Sequence, residues 1–283
     1  MNNIIDLKRL DMVFRKDFLE NGKWYLLLFL TMTGILGAIL IWRSVLLYNG
    51  ISEGYDTDVN TGLLIFTSFL FPVFGILFAS TMMKPMNNKV KRISYLISPS
   101  SNLEKYLSRW IIVTIGYIIA FFISFWIADA IRVGICSARY PELDIHFLNL
   151  GKLIYPGKGG NPGNYLFYDS SHFNIAISAY LFFQSIFILG STFWEKATFI
   201  KTFSAGVIIT IVLILICRWT ILLSYGDFNT FFNMLNSFES QMAGHVDQNK
   251  ASTGITVVLS VCALINWTLA FFRFRESEII KRF

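Results

Sequence analysis

Apolar and polar stretches alternate along the chain, and six of the apolar stretches are long enough to matter. They cover residues 24–48, 62–83, 110–136, 173–194, 203–225 and 253–272. A bilayer core of ~30 Å needs about 20 apolar residues of helix, so each run predicts one crossing. Two segments outside the runs carry a helical period of their own. In the first, Leu7, Leu10, Phe14 and Phe18 form a narrow stripe, with Arg9, Lys16 and Glu20 opposite. That pattern predicts an amphipathic helix over 1–23 lying in the inner interface, ahead of a six-span unit over 24–283. In the second, SPSSNLEKYLSRW, Ser98 and Pro99 mark a turn, and Ser101 and Glu104 have the spacing of a capping box. Leu103, Tyr106, Leu107 and Trp110 then fall on one face. Glu104, Lys105 and Ser108 fall on the other, expected to point toward water. This short helix closes the polar segment 84–109, whose first part is a basic stretch suited to headgroups. It reads either as a surface connector or as a docking surface for a partner.

The expected fold class is therefore an all-α membrane protein with six transmembrane helices. Composition agrees: 54% of the residues are hydrophobic and only 15% charged, against about 25% charged in soluble domains. The positions of Lys and Arg set the orientation. With the N-terminus inside, seventeen fall in the inner segments and four in the outer loops, and three arginines lie within runs. That bias predicts both ends inside. It also accounts for the net charge of +6 without nucleic acid. No cleaved leader is expected, because the first 23 residues are charged throughout and the first apolar run is too long. Cys136, Cys217 and Cys262 lie in or beside apolar runs without metal-type spacing and imply no disulfide framework.

The candidate chemistry is sparse. GKGG at 157–160 lacks the spacing and the Ser or Thr of a phosphate-binding loop, so no ATP hydrolysis is expected from this chain. His146, His172 and His245 are far apart, and none belongs to an H-E-x-x-H motif. No cofactor or metal is expected in the chain. Arg43, Arg132 and Arg218 lie toward the outer ends of their runs, where snorkelling lowers a cost of ~2.5–3.5 kcal/mol at mid-membrane. They read as interface anchors or as an outer basic ring that meets an anionic substrate or headgroup. Asp129 is placed to pair with Arg132 on one helix face. Gly34 and Ala38 form a small-residue pair, and Pro72 interrupts the second run. The outer loop 137–172 is long and rich in Gly, Pro and Asn, and 226–252 holds aromatics at near-helical spacing. An alternative function uses the first of these loops: a membrane enzyme acting on lipid or envelope precursors, with His146 beside Asp144 or Glu142 as its acid–base pair.

The stretches RISYLISPSSNLEKYLSRW and FQSIFILGSTFWEKATFIKT resemble the first cytoplasmic loop and the turn between spans four and five of type-2 ABC exporter permeases, particularly those of Bacteroidetes-like bacteria. The resemblance implies six spans with both ends inside, in the bacterial cytoplasmic (inner) membrane. It implies that the first loop is a coupling helix seated in a groove of a separate ATPase subunit, which binds ATP and Mg. Carried onto this sequence, the ATPase contacts are Pro99, Ser101, Asn102, Leu103, Glu104 and Lys105. The segment over 1–23 is similar to the family's connecting helix, and the permease is expected to pair with itself or with a related subunit. The 137–172 loop is longer than the family's usual outer loop.

Overall fold

In the computed structural model the described residues are 6–49, 56–87, 93, 95, 100–154, 165–194, 196–227, 229–234, 237 and 248–280. Six long helices dominate them: α1, Leu7–Tyr48; α2, Asp56–Ala79; α3, Asn102–Arg139; α4, Ser170–Phe193; α5, Thr198–Tyr225; and α6, Gln248–Ile280. All six contain a stretch long and apolar enough to cross a membrane. No strand occurs among the described residues beyond one isolated bridge, Ile154 to Phe167. The architecture is that of an all-α, multi-pass membrane protein.

Each apolar run lies inside or beside one helix, and the helices overrun the runs. The largest difference is at the N-terminus. The segment expected as a separate interfacial helix is the first part of α1, which continues unbroken for 42 residues. At ~1.5 Å per residue it is roughly 63 Å long, about twice the bilayer core. Asp6 caps its start by accepting a hydrogen bond from the Lys8 N–H at 3.0 Å. Asn21-Gly22 offers a local break, yet the helix runs through it, and the Asn21 side chain donates back to the Asp17 carbonyl at 3.2 Å.

α3 begins with the capped helix of the 84–109 segment and runs through a π-helical turn at Ile112–Gly116 before its span. Such a turn leaves a backbone carbonyl without its usual donor. Gln184 on α4 supplies one, donating from Nε2 to the Val113 oxygen at 3.3 Å. Pro72 sits inside α2 without ending it. Asp169 caps α4, and hydrogen bonds from the Ser171 side chain and the Ser170 N–H hold its carboxyl below the usual carboxylate range. α5 starts at Ala197, which has a left-handed backbone (φ 53°), and ends at Gly226 (φ 72°).

Two cores result. The first joins α1, α2 and α3 around Leu36, Leu40, Leu63, Leu64, Phe121 and Phe125. The second joins the end of α2 and the start of α3 to α4 and α6 around Ala79, Tyr106, Val113, Ile188, Ala270 and Phe274. α4 and α6 pack most extensively, and α5 packs against α4 alone to any extent. The closest approach there is Gly190, where a β-carbon would meet the Thr202 hydroxyl. The apolar window of α5 is otherwise uncovered on every face.

Candidate functional site

The capped start of α3 packs between the first part of α1 and α6. Ser101 and Glu104 form the reciprocal capping box: the Glu104 N–H donates to Ser101 Oγ at 3.2 Å, and the Ser101 N–H donates to Glu104 Oε2 at 2.9 Å. The other oxygen of Glu104 accepts from the Asp6 N–H at 2.9 Å. Asp6 is itself the cap of α1. One carboxylate therefore holds the starts of two helices, 98 residues apart in sequence. A charged acceptor of this kind makes the stronger sort of hydrogen bond.

Five residues beyond Glu104, Arg109 donates to Asp17 of α1, and both side chains are buried. The Arg109 guanidinium also lies 5.6 Å from the Tyr95 ring centroid, and the Tyr95 hydroxyl donates to the Lys105 carbonyl at 3.0 Å. On the opposite side, the Tyr106 hydroxyl donates to the Trp267 carbonyl of α6 at 2.9 Å. Trp110 meets Trp267 edge to face at 5.1 Å.

This corrects the expected orientation of the helix. Glu104, Lys105 and Ser108, expected to face water, have exposures of 0%, 3% and 0%, and Arg109 beside them is 4% exposed. The polar face is buried because α1 covers it with matching polar groups. The aromatic face is buried because α6 covers it. What remains partly exposed is the tip, Ser101, Asn102 and Leu103, together with Leu107 and Trp110. Of the six expected contact residues, Glu104 and Lys105 are thus interior. Pro99 lies outside the described residues, as do Ser98, Lys89, Lys91, Arg92 and Lys158. His245 and most of the 226–252 segment also lie outside them, although 229–234 is helical there.

The three span arginines do not share one environment. Arg132 is wholly buried; its Nε donates to Asp129 Oδ1 at 2.6 Å, and its Nη2 to the His146 carbonyl at 2.8 Å. Asp129 Oδ2 accepts from the Leu148 N–H at 2.8 Å. The expected Asp129–Arg132 pair is present, and it clamps residues 145–148 onto α3. An arginine enclosed in that way is not available to a basic ring. Arg43 is half-buried over the Phe66 ring at 4.3 Å, while Arg218 is exposed on α5. His146 lies 3.4 Å from Asp144, and both side chains are exposed. No group of His, Cys, Asp and Glu suited to a metal occurs among the described residues.

The chain matches no family model and no curated protein.

Sequence reasoning missed the Asp17–Arg109 pair and the Asp6–Glu104 link. A signal existed for the first. Asp17 follows Leu10 by seven residues and Phe14 by three, so it stands on the apolar face of its helix. An acid on such a face calls for a buried base. No local signal marks the second, because its donor is a backbone N–H.

Proposed function

We propose that the chain is the transmembrane permease subunit of an ATP-driven exporter, oriented with both ends inside the cell. A separate ATPase meets it at the tip of α3 through Ser101, Asn102 and Leu103. The carrying observation is that this tip begins a helix whose two faces are already committed to α1 and α6. A displacement delivered to the tip is therefore delivered to three helices at once.

Each local feature has a role in that transmission. The capping box keeps the first turn of α3 from fraying under load. Glu104 through Asp6, and Arg109 through Asp17, couple the load to α1. Tyr106 and Trp110 couple it to α6 through Trp267. The π-helical turn is where α3 changes winding between the tip and the span, a place where a helix bends without breaking. ATP and Mg belong to the partner, which supplies the hydrolysis. A second copy of the chain, or a related permease, completes the translocation path. Export requires that the two arrangements of the helices bind the cargo differently.

The test is capture of the tagged full chain in mild detergent, with identification of any ATPase that carries a phosphate-binding loop. Leu103→Glu places a charge on the exposed tip without touching a buried bond. It is expected to lose a stoichiometric ATPase while the permease keeps its amount and its unfolding temperature. Full retention of the ATPase by Leu103→Glu would remove the tip as the contact. Absence of any ATPase from the native chain under several mild conditions would remove the reading itself.

A further inference from the structure

A cavity of about 820 Å³ lies between α1, α2 and the π-helical turn of α3. This is within the range of about 300–1,000 Å³ in which proteins hold small ligands. It is elongated: its wall on α1 extends from Phe18 to Ile35, roughly 26 Å at 1.5 Å per residue. Its floor is made by the buried Met32 and Tyr117, and its rim by the exposed Leu26 and Ile35. The wall is apolar over that length. Two of its hydroxyls, Thr31 and Tyr117, donate to the Leu28 and Phe71 carbonyls, and the others, Tyr25, Ser80 and Thr81, stand in the half nearer Phe18. The same end carries two exposed cations, Lys23 and Lys84. Lys84 Nζ lies 3.9 Å from the Trp24 ring centroid, and Trp24 in turn stacks on Phe78 of the cavity wall at 6.1 Å.

The geometry points to a binding site for one acyl chain of an anionic glycerophospholipid, in the leaflet nearest the start of α1. Three features select that occupant. The cavity is long and apolar, as an extended hydrocarbon chain needs. It lies in segments that cross the membrane, so lipid is the solvent at its open side. Its two cations stand toward one end, where a phosphate headgroup would sit among Lys23, Lys84 and the interface aromatic Trp24. The site serves as a fixed lipid position within one protomer, and the transport reading neither requires it nor supplies it.

Two glycines on the wall provide the test. A β-carbon at Gly22 meets nothing within 4 Å, and one at Gly116 meets only ordinary contacts at 3.8 and 4.0 Å. Gly22→Phe and Gly116→Leu therefore fill the space while replacing a residue that weakens helices. The full chain is placed in nanodiscs of phosphatidylcholine with and without phosphatidylglycerol, each lipid carrying a photoreactive diazirine on its acyl chain. Adducts are mapped by peptide mass spectrometry, with α5 as the measure of ordinary lipid contact. Labelling of the Phe29 and Phe78 peptides is expected to exceed that of α5 and to be greatest with phosphatidylglycerol. Filling the cavity should lower it about tenfold, while α5 stays unchanged. Lys23→Gln with Lys84→Gln should abolish the preference for phosphatidylglycerol and leave chain labelling in place. Cavity labelling equal to that of α5, or unaffected by Gly22→Phe, would overturn the site. Equal labelling by both lipids, or adducts joining two copies of the chain in place of lipid, would do the same.

Discussion

Asp17 gives one oxygen to Arg109, and its other oxygen, Oδ2, has no hydrogen-bond partner among the described residues. Two buried charges that share one contact are sensitive to the loss of either. Asp17→Ala or Arg109→Ala leaves an uncompensated charge and should lower stability by about 3–5 kcal/mol. Asp17→Ala combined with Arg109→Met should cost less than the two single changes added together, because no charge is then left buried. Thermal unfolding of the four proteins in one detergent measures both statements. Arg132 follows the same logic at the other end of α3. Arg132→Gln should release residues 145–148 and lower the unfolding temperature, whereas Arg43→Gln and Arg218→Gln should change it little. Equal, small effects at all three positions would contradict the clamp. Ala197 has the opposite sign. A left-handed backbone costs a residue with a β-carbon about 1–2 kcal/mol, so Ala197→Gly should stabilise the turn before α5 by about that amount.

At the level of elements, helix–helix contact depends on small residues where backbones come close. Gly190 is the point at which α5 rests on α4. A methyl group there would overlap Thr202, whose branched side chain has little freedom to turn away. Gly190→Ala should destabilise the protein by about 1–3 kcal/mol, and Thr202→Ala in the same chain should restore most of the loss. A destabilisation that Thr202→Ala leaves unchanged would place the cost elsewhere. The existence of each long helix was legible in the sequence, because hydropathy acts over some twenty residues and averages out local accidents. The capping box at Ser101 and Glu104 was legible too, since both partners lie within one turn. The direction in which that helix faces was not. Periodicity separates two faces of a helix without stating what covers each. Here α1 brings Asp6 and Asp17 to the polar face, a meeting set by tertiary packing alone. For the same reason the length of α1 was underestimated: a change in polarity at residue 23 ends an apolar run but not a helix.

For the whole molecule, six crossings require both chain ends to lie on one side of the membrane. Single cysteines placed at residues 8 and 276, after replacement of the three native ones, should react together with an impermeant maleimide. Reaction of one and protection of the other in sealed vesicles would exclude six crossings. Two cores, one on α1 with α2 and one on α4 with α6, share α3 and its neighbours. The two helical groups are joined both by α3 and by the packing of α2 on α4, where a β-carbon at Gly75 would meet the Tyr180 ring. Motion of one group against the other would have to shift the α2–α4 packing as well as the π-helical turn of α3, where Gln184 donates a hydrogen bond to Val113. The candidate site lies at the near end of that shared element, which is why a contact there reaches both groups.

The pairing of Asp17 with Arg109 also has a consequence for how the chain is made. Ninety-two residues separate the two. At about 5–20 residues per second, roughly 5–18 s pass between their syntheses. During that interval the first helix is complete but its acid has no base to meet. Asp129 and Arg132, by contrast, are joined within one turn as soon as they emerge. One pair therefore reports only that a helix has formed. The other closes only after the second apolar segment has been made and the third has begun, so a nascent chain stalled earlier presents an unmatched acid to the machinery that inserts or discards it.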